Sequence, residues 1–238
     1  PVFHDDQDGT AIVVLAALIN ACRVSGKVMK ELKIIISGAG AAGIAICRLL
    51  MSQGARDIIL VDSRGTIYVG RKDLNPIKVE IAKKTNKKKI EGGLAEAIVG
   101  TDVFIGVSAP NIVNEKMVAA MNKGPIIFAM ANPIPEIMPD KALKGGAFIV
   151  GTGRSDFPNQ INNALVFPNL FRGLLDGKIK KVTTKIKVAA AVALAYSIKP
   201  KKDKLLPLVT DKKATRRIAD TILRLTKKLY KNLKLEIF

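Results

Sequence analysis

Short apolar runs recur along this chain, with segments of helical spacing between them. The runs fall at 33–37, 58–61, 103–107, 126–129 and 147–151. Each is short and mostly apolar, which predicts strands buried in a sheet. Helical patterns are predicted over 9–24 (long and strongly apolar), 43–51, 94–99, 115–121, 186–196 and 215–231. A more polar helix opens at Leu74-Asn75-Pro76 and runs to about 85, with Pro76 suited to its first turn. The lysines of 83–89 lie near its end, where cations complement the helix dipole. After Phe167-Pro168-Asn169 the pattern turns helical. Strands alternating with helices predict an α/β fold: a doubly wound, mostly parallel sheet with helices on both faces and C-terminal helices packed on it.

The length of 238 residues suits one large α/β domain, or a domain with a small appendage. Hydrophobic residues make up 48% and mean hydropathy is +0.21, so a substantial core is expected and disorder is excluded. The longest apolar stretch, 11–21, is interrupted by Asn20 and then Arg23, so no membrane span is expected. The acidic start of the chain does not read as a signal peptide. Cys22 and Cys47 sit in apolar helical patterns and read as buried thiols of a reducing compartment, with the cytoplasm as the expected location.

Charge is unevenly placed. The net charge is +19, and from Lys178 onward there are 18 basic and 4 acidic residues. Residues 178–238 therefore read as a basic helical C-terminal part. Such a run attracts nucleic acid or acidic membrane. It carries almost no interleaved aromatics, so a solvated lysine-rich surface is the expected reading, with neither membrane nor nucleic acid as partner.

Residues 38–43 read Gly-Ala-Gly-Ala-Ala-Gly, between the first apolar run and a helix. This strand, glycine turn and helix is the Rossmann-type arrangement for a dinucleotide pyrophosphate. Gly38 permits the turn, Gly40 lets backbone approach the phosphates, and Gly43 lets helix and strand pack. The second apolar run ends in Asp62, where a carboxylate can hold ribose hydroxyls. Asp62 favours NAD, while Arg64 offers a contact for the 2′-phosphate of NADP.

Four loops at strand ends carry candidate chemistry: 38–43, 106–110 with Ser108, 131–133 with Asn132, and 151–156. Ligands of open α/β sheets bind outside the carboxyl ends of the strands, so these loops are expected to share one crevice. The start of the chain, Phe3-His4-Asp5-Asp6-Gln7-Asp8-Gly9-Thr10, holds three carboxylates before an apolar helix. They read either as helix-capping groups or as oxygen ligands for Mg²⁺ or Mn²⁺. His4 is the sole histidine, which argues against a zinc site. Asn132, Asn162 and Asn163 are amides suited to a substrate carboxylate or a nicotinamide, or to turns and caps. No Gly-x-Ser-x-Gly elbow, Cys/His pair or Walker loop occurs.

Four blocks together, residues 1–11, 38–43, 131–137 and 153–163, resemble the bacterial and archaeal malic enzymes, in order and to about Ala195. The resemblance implies metal-dependent oxidative decarboxylation of malate to pyruvate and CO₂ with NAD or NADP. It implies Asp6 as a metal ligand with Asp5 beside it, and Asn132 facing nicotinamide and substrate. One of Asn162 and Asn163 would contact the malate carboxylate, with Asn163 favoured. Residues Ala39, Gly40, Ala41 and Ala42 match the pyrophosphate loop and Asp62 the ribose-binding acid. Asp8 departs from the family, where His is common, and has no evident role. The family's catalytic Tyr and Lys and its Glu-Asp metal pair lie in an amino-terminal region not present here. The chain is therefore expected to be the NAD(P)-binding domain, residues 1–238, of a longer enzyme that is a homo-oligomer when complete. Alternatives are a malolactic enzyme, or a non-catalytic module binding a dinucleotide or nucleic acid.

Overall fold

The computed structural model describes the backbone of residues 1–235 and the side chains through residue 225. Six strands form one sheet: β1 (Lys33–Ser37), β2 (Asp57–Asp62), β3 (Gly65–Thr66), β4 (Val103–Gly106), β5 (Ile126–Ala129) and β6 (Ile149–Thr152). Their order is β3-β2-β1-β4-β5-β6. All neighbours are parallel except β2 and β3, an antiparallel pair. The chain leaves β1 toward β2 and later returns to β1's other side as β4, so strand direction of growth reverses there. A crevice opens at that switch point.

Alternate strand residues supply two separate cores. Ile34, Ile36, Ile58, Leu60, Val103, Ile105, Ile126 and Phe128 face one layer, and Ile35, Ile59, Phe104 and Ile127 face the other. Both faces are covered, which is why these strands read as continuous apolar runs. On the first face lie α1 (Thr10–Ser25), α2 (Ala41–Ser52), α7 (Phe167–Asp176), α8 (Thr184–Ala195) and α9 (Lys212–Leu235); the smaller α3 (Pro76–Ala82), α4 (Leu94–Ala97), α5 (Glu115–Ala119) and α6 (Pro139–Lys144) complete the fold.

The predicted elements are present with shifted ends. The helix expected from residue 43 begins at Ala41, and the strand expected over 147–151 is β6, two residues later at its start. The short β3 and α6 were not anticipated, because neither is long enough to show a period. A second correction concerns length. A π-helical turn, Asp5–Gly9, continues into α1, giving a 21-residue helix that holds an 18-residue window of mean hydropathy 1.4, long and apolar enough to cross a membrane. Its residues Ala11–Leu18 are all buried, packed against α2 and α8, so it serves as the core helix. Asn20, read as an interruption, is fully buried and donates to the Ala195 and Leu205 carbonyls at 2.8 and 2.7 Å.

The basic C-terminal part belongs to this packing: α8 lies on α1, and α9 on α7 and α8. Of the expected range 178–238, residues 236–238 lie outside the described residues.

Candidate functional site

The turn between β1 and α2 is fixed by contacts that only glycine allows. Gly38 has φ +110°, its N–H donates to the Val61 carbonyl at 2.8 Å, and a Cβ there would meet the Val107 carbonyl oxygen at 2.5 Å. A Cβ on Gly43 would stand 1.8 Å from the Gly38 carbonyl oxygen. Beyond Gly40 there is open space, and no side chain caps α2. The first N–H groups of α2 are therefore left for an anion at the positive end of its dipole.

A cleft of about 780 Å³ lies over this turn, lined by Gly38, Ala39, Gly40, Asp62, Arg64, Lys78 and Ser108 among others. A second crevice of about 360 Å³ is lined by Asp6, Thr10, Ala42, Ser108, Asn132, Gly153, Asn162 and Asn163 among others. Ser108 belongs to both. The four expected loops thus do meet at the carboxyl ends of the strands. Ala41, expected in the pyrophosphate loop, is an exposed residue of α2's first turn; its side chain lines neither space, but its N–H is the first of those that open α2.

At the far end of the cleft Asp62 is held on three sides. Its Oδ1 accepts from Arg71 Nη2 at 2.9 Å and from the Arg64 N–H at 3.0 Å, and its Oδ2 accepts from Lys78 Nζ at 2.5 Å. Burial pushes this carboxyl up, but hydrogen bonds from Lys78, Arg64 and Arg71 more than offset that and leave it below its ordinary value. Arg64 turns its guanidinium to Asp73 at 3.1 Å. Arg71 and Lys78 were not singled out in the sequence. Nothing in their spacing from Asp62 reveals the pairing, which depends on the β2–β3 hairpin and on α3.

The acidic segment does not cap a helix with its side chains. Asn163 Nδ2 donates to Asp5 Oδ2 at 2.8 Å and to Asp6 Oδ1 at 3.4 Å. Asp8, without an assigned role in the sequence, pairs with Lys187 of α8 at 2.5 Å. Asp5 Oδ1 is buried with no hydrogen-bond partner. Burial, then repulsion by Asp6, raise the Asp5 carboxyl, with His4 acting weakly in the opposite sense. Two close carboxylates, one with an orphan oxygen, suit a hard divalent cation. No group of three or more His, Cys, Asp or Glu side chains gathers around a common point among the described residues.

The two amides differ. Asn162 accepts from the Ala164 N–H at 2.9 Å and so caps a 3₁₀ turn, while Asn163 holds the carboxylates. Arg154, paired with Asp156, donates to the Pro133 carbonyl at 2.9 Å and so joins the loop after β6 to that of Asn132. A carboxylate unremarked in the sequence, Glu136, lies fully buried beneath the Ser108 and Asn132 loops. Both thiols are free; Cys47 is buried as expected, whereas Cys22 is only half-buried, and burial raises Cys22 to about 11 and Cys47 to about 12.

A glycine turn at a switch point, a carboxylate at the end of β2 and strand-end loops around one cleft define a Rossmann-type nucleotide-binding domain. Comparison with known proteins narrows the class. Residues 7–227 match the sequence model of the malic enzyme NAD-binding domain, and the chain belongs to that family. It is 50% identical over 226 residues to a bifunctional malic/malolactic enzyme of Bacillus subtilis, covering 93% of this chain and 55% of that protein. It is 46% identical over 197 residues to an NADP-dependent malic enzyme of Halomonas elongata, covering 82% and 46%. The crystal structure of an NAD-dependent malic enzyme from Thermotoga maritima superposes with a TM-score of 0.91 at 40% identity, over 94% of this chain and 59% of that one. The chain spans about half the length of these two curated relatives, 55% and 46%.

Proposed function

We propose that this chain carries the nucleotide cleft and part of the metal and substrate site of an enzyme that oxidises and decarboxylates malate to pyruvate and CO₂. The observation that supports it most is the junction at Ser108. Ser108 lines both the cleft that suits a dinucleotide and a crevice lined by Asp6, Asn132, Asn162 and Asn163. A nicotinamide ring emerging from the cleft would meet a substrate held by amides and a carboxylate-bound cation.

In this reading the N–H groups opening α2 take the pyrophosphate, Asp62 Oδ2 accepts from a ribose hydroxyl, and Asn132 faces both nicotinamide and malate. Asp6 would hold Mg²⁺ or Mn²⁺ with Asp5 behind it. The cation's contribution when bound is Lewis-acid polarisation of the substrate's oxygen. Asn163 orients both carboxylates by holding one oxygen of each. Removal of the hydroxyl proton needs a base, and protonation of the enolate left by CO₂ loss needs an acid. The resemblance to malic enzymes implies a lysine and a tyrosine for these roles, and the described lining of the crevice holds neither.

NAD is the proposed acceptor, with NADP also accepted, because Arg71 and Lys78 neutralise the charge of Asp62 that would repel a 2′-phosphate. The test is nucleotide reduction at 340 nm by the whole enzyme with malate and Mn²⁺, with pyruvate as product. Lactate released without net NADH would favour the malolactic alternative. For the chain in hand, NAD is expected to raise the melting temperature.

A further inference from the structure

Among the described residues Glu136 is the only carboxylate that is completely buried. No lysine or arginine pairs with it there, yet it is fully used. Its Oε1 accepts the Ser108 N–H at 2.9 Å and its Oε2 accepts the Ala131 N–H at 2.9 Å. Burial raises its carboxyl, and these two N–H groups partly offset that. The side chain lies against the end of β4, where a Cβ on Gly106 would stand 2.3 Å from the Glu136 Cδ. The same segment accepts through its backbone from Asn111 at Pro135 and from Val113 at Glu136, at 3.1 and 3.0 Å.

Burying a carboxylate without a cation is costly, and an apolar side chain would fill the space at less cost. What an apolar side chain lacks is the ability to take one N–H from each of two loops. Those loops carry Ser108, which lines both the cleft and the crevice, and Asn132, which lines the crevice. We propose that Glu136 is a positioning residue: its carboxylate is a strap that sets the separation of Ser108 and Asn132, and through it the seat of the nicotinamide ring. The proposal rests on the reading of the cleft as a nicotinamide-nucleotide site.

Glu136→Gln keeps the shape but turns one acceptor into an amide donor, so one of the two loops loses its tie whichever way the amide faces. Glu136→Met removes the buried charge and both ties at similar volume, and serves where the Gln variant fails to fold. The probes are ADP-ribose, which lacks the nicotinamide, and NADH, whose fluorescence reports the surroundings of that ring. Both variants are expected to bind ADP-ribose within about twofold of the wild type while losing the fluorescence change of bound NADH. In the whole enzyme kcat falls by roughly tenfold to a hundredfold with little change in the nucleotide KM, as expected for a misplaced reacting group. A wild-type NADH signal in the variants overturns the proposal. So does a parallel loss of ADP-ribose and NADH affinity, or a loss of folding in both variants, since either assigns Glu136 to packing. If the wild-type chain binds neither probe, the nucleotide reading itself falls, and the strap with it.

Discussion

Asn163 donates its side-chain amide to the Asp5 carboxylate at 2.8 Å, joining residues 158 positions apart. The other oxygen of Asp5 is buried without a partner. The bond also places two carboxylates beside one amide, where their like charges repel.

That repulsion gives a stability prediction with a definite sign. The Asp5 carboxyl is raised above 3.8 by burial and by Asp6, so its ionised form penalises the folded state. The penalty is absent below the unfolded value of 3.8 and fully present above the raised folded value. Asp5→Asn is therefore expected to raise the melting temperature at pH 7 in metal-free buffer. The gain shrinks as the pH falls toward 3.8. Thermal melts at pH 7 and pH 4 check it.

Asp6→Asn should separate metal from nucleotide. The Mn²⁺ concentration needed for half-maximal malate oxidation by the whole enzyme is expected to rise about tenfold or more. The affinity of the chain for NAD should stay within about twofold. A parallel loss of both would place Asp6 in the architecture of the cleft.

Gly43→Ala puts a methyl group into the Gly38 carbonyl oxygen. Backbone has to move, at a cost of about 1–3 kcal/mol, and the turn that receives the pyrophosphate moves with it. Denaturant melts and NAD titration should both register the change. Gly40→Ala meets no atom in the free chain, so stability should hold while nucleotide affinity falls.

Discrimination between NAD and NADP is expected to be small, within about tenfold or about 1.4 kcal/mol. Asp62 is neutralised by Arg71 and Lys78, and Arg64 stands nearby with its side chain 73% exposed. Lys78→Ala leaves Asp62 more strongly negative and should raise the preference for NAD. Arg64→Ala should weaken NADP more than NAD. Paired titrations of the two nucleotides decide both.

Much of the fold was legible because both faces of the sheet are buried, which makes β1, β2, β4 and β5 plain apolar runs. The glycine turn was legible for a similar reason. Gly38 and Gly43 answer to local sterics, so their spacing carries their purpose. Helix and strand ends were less so: α2 begins two residues before its apolar period does, since alanines at a helix start obey no pattern.

The sequence by itself determined the parallel sheet, the nucleotide turn and the set of carboxylates and amides at the strand ends. Those follow from local rules of periodicity, backbone freedom and side-chain chemistry. Tertiary structure alone decided which charges meet: Asp62 with Arg71 and Lys78, Asp8 with Lys187, Asp5 with Asn163, and Glu136 with two backbone N–H groups. Electrostatic and hydrogen-bond energies depend on distances of a few ångströms between segments remote in the chain, and only packing sets those distances.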